Sequence, residues 1–515
     1  MTERSLFNRI KSDQLADRID PEYYTKDLLA NEALLERFHE SRLCDLVDKS
    51  KPNNIADLTS NGSFEFLRGI EFNEVDGIPF IRTQNLMDGY VDDGEVIYVN
   101  QECRSMVAKS LCETGDLIVC RKGKVGAASA LPEKMNGAAI SENVTRFSLL
   151  ADDDGDFIAA FLNSNQGRKR FLREATGVIQ KWINNEKLRE IRVIRLDAHA
   201  EKYIGDKVRQ AERLRAWAKA ERVKIDLYFD SILNGIYQER PERCFSRISN
   251  EILVPRLNAE FYAPEFVSVE IGLRQKFGKL TTIGKLAPTI RSKEKPRGDC
   301  RYFEIGDLST SKGTFEQGSY YKKGEAPNNA QRKFDIGDVA VSTRRPNRGA
   351  IAVVEDGDVN NFYSVFLARL KPKNISFGYW LKEFLRHEIG KLLLQQRCTW
   401  TTYPVISEDD LETIPVPVIE GDWEYISNLS KQSALLEYHS KQLSNSAKLL
   451  VEDLIEGQIT EAQLIAAEQA LQAGNDALDR KILGRLKTDG IDGDGAALFS
   501  DLDELYRLLA LAEVE

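Results

Sequence analysis

The sequence predicts an α+β chain made of two similar halves, each a small sheet with flanking helices that ends in a long amphipathic helix, followed by an acidic helical tail. Three observations predict it. Matched segments recur in the same order through both halves, which is the signature of an internal duplication. Two distant stretches place apolar residues on alternating three- and four-residue steps. From Gly457 to Glu515, twelve acids face five basic residues.

Four segment pairs carry the duplication. RIDPEYY (18–24) returns as RLNAEFY (256–262), and FIRTQNL (80–86) aligns with YFEIGDL (302–308). Gly115-Asp116-Leu117 matches Gly337-Asp338-Val339. The run from Ile183 to Ile191 matches the run from Ile406 to Ile414.

Taken in order, the N-terminal segment to about Asp48 is expected to be helical, with Leu28, Leu29, Leu34, Leu35 and Phe38 on one face. Short strands punctuated by Gly, Asn and Asp follow: Ile78 to Ile81, Val96 to Val99, Leu117 to Cys120 and Thr145 to Leu149. Phe157 to Arg173 turns helical until Gly177 breaks it, and Ile191 to Leu196 is extended. The first long helix runs from Ala198 to Ile236 on Ile204, Val208, Ala211, Ala218, Ile225, Phe229 and Ile232. The second half repeats this order from Arg256 to Ile419, with Pro415 and Pro417 stiffening the entry to its helix. That helix uses Ile426, Leu429, Leu436, Leu443, Ala447, Leu450 and Leu454, and its Gly457 matches Gly235 at an offset of 222. In the tail, two helices are expected around Leu464 to Leu471 and Leu502 to Leu511. The resulting divisions are 1–197, 198–236, 237–419, 420–457 and 458–515.

A chain of 515 residues, 42% of them hydrophobic, has room for two to four domains with real cores. Its start lacks an apolar signal region and no run of eighteen apolar residues occurs, so a cytoplasmic protein with no membrane contact is expected. Seven cysteines without a Cys-x-x-Cys pair fit a reducing compartment, and four scattered histidines offer no metal cluster. Net charge is −10, but the tail from Gly457 accounts for −7 and leaves only −3 elsewhere. Basic patches survive in that average: nine Lys or Arg face three Glu between Arg168 and Arg195, and five face two acids between Arg291 and Arg301.

Two constellations suit a nucleic-acid surface. The loop after each Gly-Asp turn is cationic: Arg121, Lys122 and Lys124 in the first half, and Arg344, Arg345 and Arg348 beside Asn347 in the second. Arginine can fork onto guanine or a phosphate, and the neighbouring glycines let backbone amides come close. The other constellation precedes the repeated Ile-x-x-x-x-Leu segment. Gln180, Lys181, Trp182 and Asn184 stand there in the first half, and Arg397, Thr399, Trp400, Thr401, Thr402 and Tyr403 in the second. Amides, hydroxyls and cations beside aromatics read base edges and pack on sugars. Arg82, in the first member of the FIRTQNL pair, joins this set of candidate DNA-binding residues. Ser141, Asn143, Asn361 and Ser364 stand at matching places before strands, where turn-forming roles are expected.

These residues, in this order and twice over, resemble the specificity subunit of type I restriction-modification systems, and the resemblance covers nearly the whole chain. It implies two target-recognition domains, each followed by a long helix, with the helices packed antiparallel as a coiled-coil spacer. It implies that this chain reads a bipartite double-stranded DNA target and catalyses nothing itself. Two modification subunits, which bind S-adenosylmethionine and methylate adenine, and motor-nuclease subunits using ATP and Mg would be its partners. The spacer helices, through Ile204, Val208, Leu214, Ile225, Leu429, Leu436, Leu443 and Leu450, are expected to dock those partners. A helix of about 36 residues at roughly 1.5 Å per residue spans about 54 Å, near 15 base pairs at about 3.4 Å each.

Signals for an enzyme are weak. Asp20-Pro21-Glu22-Tyr23 is similar to the Asp-Pro-Pro-Tyr motif of amino-methyltransferases but lacks its second proline, and no glycine-rich cofactor loop follows a strand nearby. A P-loop is absent from the sequence. Asp492, Asp494 and Gly495 recreate part of a calcium loop, but Gly490 takes its first ligand position, so a plain turn is expected. A fused methyltransferase or nuclease with degenerate motifs, and a coiled-coil scaffold with peptide-binding sheets, are the alternatives from other classes.

Overall fold

In the computed structural model, the described residues are 10, 15–16, 18, 20–94, 96–177, 180–236, 258–316, 318–355, 357–400 and 402–513. Residues 237–257, with which the second expected domain begins, lie outside them. The chain divides into two compact units, one of residues 1–216 and 437–515, the other of residues 217–436. Each long helix therefore contributes to both.

In the first unit, Leu117–Cys120 lies between Val144–Phe147 and Ala128–Ala130 in an antiparallel sheet that Ile55–Ala56 extends. A second sheet orders Phe72–Asn73, Ile97–Val99, Ile78–Ile81 and Ala139–Ile140, the last two being parallel. The second unit repeats this plan. Val339–Ser342 lies between Ile351–Val353 and Leu367–Leu370, and Cys300–Phe303 runs parallel to Asn361–Ser364. The strand runs are legible because every residue of Leu117–Cys120 and of Val339–Ser342 is buried, as a strand covered on both faces requires.

The repeated motifs prove to be structural fasteners. Asp116 and Asp338 are 3% and 2% exposed, and each accepts a turn-closing hydrogen bond at 2.8 Å, from the Glu113 and Asp335 amides respectively. Each also faces a buried arginine on the next strand, Arg146 at 3.8 Å in one unit and Arg369 in the other. The preceding Gly115 and Gly337 hold φ of 85° and 87°, which a side chain would oppose. The aromatic doublets match as well: Tyr23–Tyr24 and Phe261–Tyr262 meet edge-on at 4.9 and 5.0 Å, both at 74°.

Local expectations needed adjustment. The first helix is Lys26–Leu35, and His39–Arg42, expected to be helical, is a strand paired with Arg192–Arg195. Its polar sequence has no apolar alternation; a tertiary partner creates it, with Glu40 bonded to Arg170 and Arg192. The Phe157 to Arg173 stretch is two helices, Gly155–Asn163 and Asn165–Glu174, divided where Ser164 accepts from the Gly167 amide. Pro415–Pro417 is a strand against Leu280–Thr282, acceptable because both members of this ribbon are edges.

The long helices are Ala198–Leu233, of 36 residues, and Trp423–Glu456, of 34. In the first unit Arg215 donates to Ser444 at 3.4 Å. In the second, Ser433 donates to the Ala218 carbonyl at 3.1 Å and Tyr228 to Asp422 at 2.8 Å. Rising numbers meet falling ones in the second unit, so the helices pair antiparallel there. Among the described residues no helix is long and apolar enough to cross a membrane.

The tail packs within the first unit as Glu461–Gln472, Ala477–Arg485, a short ribbon of Leu486–Lys487 with Gly490–Ile491, and Leu502–Leu511. The middle helix was not expected from its charged sequence, and its Asp479 is tied to partners distant in sequence. Asp479 is 2% exposed; it accepts from Lys207 at 2.7 Å, Tyr203 at 2.6 Å and Tyr506 at 2.5 Å. Burial pushes its carboxyl up, but the Lys207 charge and these hydrogen bonds win and hold it below the usual carboxylate range. His439, 2% exposed on the second long helix, is pushed down by burial against the opposing pull of Glu504 and Asp501, and its Nδ1 lacks a partner among the described residues.

Two outcomes follow for the tail. Asp479→Ala strands the buried Lys207 ammonium and should lower stability by about 3–5 kcal/mol in urea unfolding, with the tail becoming the first site of proteolysis. Because the folded His439 pKa is lowered, its contribution is present above the ordinary value of 6.5 and is lost as pH falls. Acid titration of unfolding should show this loss first and the Asp479 loss below the carboxylate value of 3.8, and His439→Phe should remove only the upper one.

Candidate nucleic-acid interface

The basic loop and the amide-aromatic segment, far apart in sequence, are joined in both units by the same backbone bonds. In the first unit the Arg121 amide donates to the Asn143 carbonyl at 2.8 Å, and the Ile183 amide donates to the Arg121 carbonyl at 3.0 Å. In the second, the Thr343 amide donates to the Phe366 carbonyl at 2.9 Å and the Ile406 amide to that of Thr343 at 3.1 Å. Lys122 then bridges to Trp182, and Arg344 to Val405. Each loop is thus pinned at its base on a buried central strand, leaving its tip outward.

The two sites differ in how their cations are held. In the first unit Arg121 is committed to Asp57 at 2.9 Å and to the Glu142 carbonyl. Lys181 pairs with Glu22 at 2.5 Å, and Lys124 donates to the Leu86 carbonyl at 3.3 Å. Lys122 is exposed with no ion pair among the described residues, and beside it Trp182 is 45% exposed. Arg82 sits half-buried in the turn after Ile78–Ile81, where its amide donates to Asn85 at 3.1 Å.

In the second unit Arg344, Arg345 and Arg348 have no carboxylate partner among the described residues. The Arg344 guanidinium lies 4.9 Å from the Phe366 ring and 5.7 Å from Tyr403, and that of Arg345 lies 5.5 Å from Tyr403. Arg345 and Arg348 are exposed, as are Thr399 and Trp400 on the Thr399–Trp400/Pro404–Val405 hairpin. Asn347 is half-buried within the same turn, and Thr401 lies outside the described residues. Phe366 was missed by sequence reasoning: a lone aromatic after a strand carries no signal until the fold sets it under Arg344.

Two of the expected DNA-binding residues have roles in holding the protein together. Asn184 caps Asn185–Arg189 by accepting from the Lys187 amide at 2.8 Å, as Ser407 caps Glu408–Glu412 at 3.0 Å. Arg397 is 5% exposed, bonded to Glu270 at 2.6 Å and lying over the Phe261 ring. The eight spacer-helix positions face inward. Ile204, Val208, Leu214, Leu443 and Leu450 are buried within the first unit, Ile225 and Leu436 within the second, and Leu429 packs half-buried on the second unit's core. With the stripe buried, a docking partner would meet other faces of the helices.

No family model and no curated protein matches the chain. Among solved structures it is similar to the type I restriction-modification S subunit from M. genitalium, at 14% identity and a TM-score of 0.40, over 82% of this chain and 97% of that one. It is also similar to a chain from a type I R-M system solved for its complex assembly and conformational transition, at 15% identity and a TM-score of 0.28, over 82% and 98%. A third likeness is to the HsdS subunit from Thermoanaerobacter tengcongensis, at 14% and 0.27, over 82% and 98%.

Substitution should separate fasteners from surface groups. Asn184→Ala should cost about 0.5–2 kcal/mol as a lost cap. Arg397→Ala, which leaves Glu270 buried and unpaired, should cost about 3–5 kcal/mol. Arg348→Ala should stay within about 0.5 kcal/mol in the same denaturation assay.

Proposed function

We propose that this chain is the DNA-specificity subunit of a type I restriction-modification system, reading a bipartite double-stranded site with one loop cluster per unit. The observation that carries the proposal is the repetition: one pinned, outward cationic loop beside an exposed tryptophan hairpin or strand occurs twice, on matching sheets. Divergent tips on a common base suit two different half-sites. The exposed cations supply phosphate affinity, and the tryptophans and forked arginines supply base-edge and stacking contacts.

The chain's own role is recognition and positioning. Modification subunits carrying S-adenosylmethionine would methylate adenine, and motor-nuclease subunits would use ATP and Mg, with the outer faces of the long helices as their platform. The alternative of a fused DNA-modifying enzyme differs in one readout, methyl transfer by the purified chain alone.

The triple substitution Arg344→Ala, Arg345→Ala, Arg348→Ala tests the reading. Binding to a selected bipartite duplex should weaken, the slope of log affinity against log salt should shrink by about 0.9 for each phosphate no longer neutralised, and selectivity should vanish in one half-site only. Equal loss in both half-sites with a native melting curve would count against it.

A further inference from the structure

The two loops start from matched bases and differ at one informative position, the second loop being one residue longer before its closing glycine. Aligned on Gly115-Asp116 and Gly337-Asp338, Gly123 corresponds to Arg345. Both occupy the left-handed region, Gly123 at φ 85° and Arg345 at φ 50°. The loop closes similarly downstream, through Gly126 at φ 83° and Gly349 at φ 78°. A glycine adopts this conformation freely, whereas a long side chain is strained there. The residue before a proline is further driven toward extended backbone, and Pro346 follows Arg345. The second unit therefore holds an arginine where the turn itself calls for glycine.

The surroundings over-determine that arginine. Its amide donates to the Pro404 carbonyl at 2.8 Å, and its carbonyl accepts from the Arg348 amide at 3.0 Å. The Tyr403 ring lies 5.5 Å from its guanidinium. Arg344, one residue back, is held half-buried against Phe366 and Tyr403, which leaves Arg345 and Arg348 as exposed forks at the tip, Arg345 being the one set beside the Tyr403 ring. No carboxylate pairs with it among the described residues. A strained, stacked and unpaired guanidinium offers two parallel donors on a fixed frame, matched to two adjacent acceptors in one plane.

We infer that Arg345 is a specificity-determining residue that reads a guanine, through its O6 and N7 acceptors, in the half-site met by the second unit. The inference rests on the DNA-recognition reading above. The first unit, with Gly123 at this position and the exposed Lys122 beside it, makes no equivalent fork and reads its half-site with other groups.

The test is selection of bound duplexes from a random double-stranded library by the full-length chain, with Arg345→Gly and Arg345→Lys in parallel. The wild type should enrich two half-sites, one with a guanine preferred about 5- to 150-fold. Both variants should lose that preference while the other half-site persists, with Arg345→Lys keeping the wild-type salt slope. Arg345→Gly should melt at or above the wild-type temperature, because it relieves the turn, which a merely structural arginine would not allow. Unchanged guanine preference in both variants, or a marked fall in the melting temperature of Arg345→Gly, overturns the inference and leaves DNA recognition standing. Absence of any enriched sequence with the wild type overturns the recognition reading, and the inference with it.

Discussion

Two helices of 36 and 34 residues each carry an apolar stripe that neither can hide alone. Pairing with each other and packing on the cores of their units is how both stripes leave water, and each unit depends on that burial. Fully burying a Leu or Ile contributes about 1.5–3 kcal/mol, and Ile204, Leu214, Leu436, Leu443 and Leu450 are all at or near zero exposure. The same helices supply Ile225, Phe229, Leu233 and Ile426 to the main core of the second unit. Truncating a core residue of either stripe thus weakens a sheet region as well as the helix pair.

Polar burial fixes what apolar burial leaves free. Asp116 with Arg146 and Asp338 with Arg369 lock the turn that launches each basic loop. Lys207 with Asp479 anchors the tail. A buried pair of this kind adds little net stability over an apolar match, but breaking one side is expensive, so it selects one arrangement. That accounts for an otherwise charged helix, Ala477–Arg485, being held in place.

Recognition chemistry, in this reading, sits where the duplicated frame stops being duplicated. The bases of the loops are matched hydrogen bond for hydrogen bond, while the tips are lysines and glycine in one unit and arginines stacked on Phe366 and Tyr403 in the other. A rigid base with a variable tip lets a new target be acquired without disturbing the core.

The sequence by itself determined the α+β class, the duplication, the two long helices and the strands Ile78–Ile81 and Leu117–Cys120, because each rests on local periodicity or on a repeated turn. It also found both halves of each loop cluster, since cations beside glycine and amides beside tryptophan are visible one by one. Only the tertiary structure decided that His39–Arg42 is a strand, that Asn184 and Arg397 serve the fold, and that Phe366 lies under Arg344. Each of these depends on a partner distant in sequence, and a side chain's hydrogen-bonding capacity does not reveal which distant group will use it. Composition predicts that a group must be satisfied; three-dimensional packing chooses by whom.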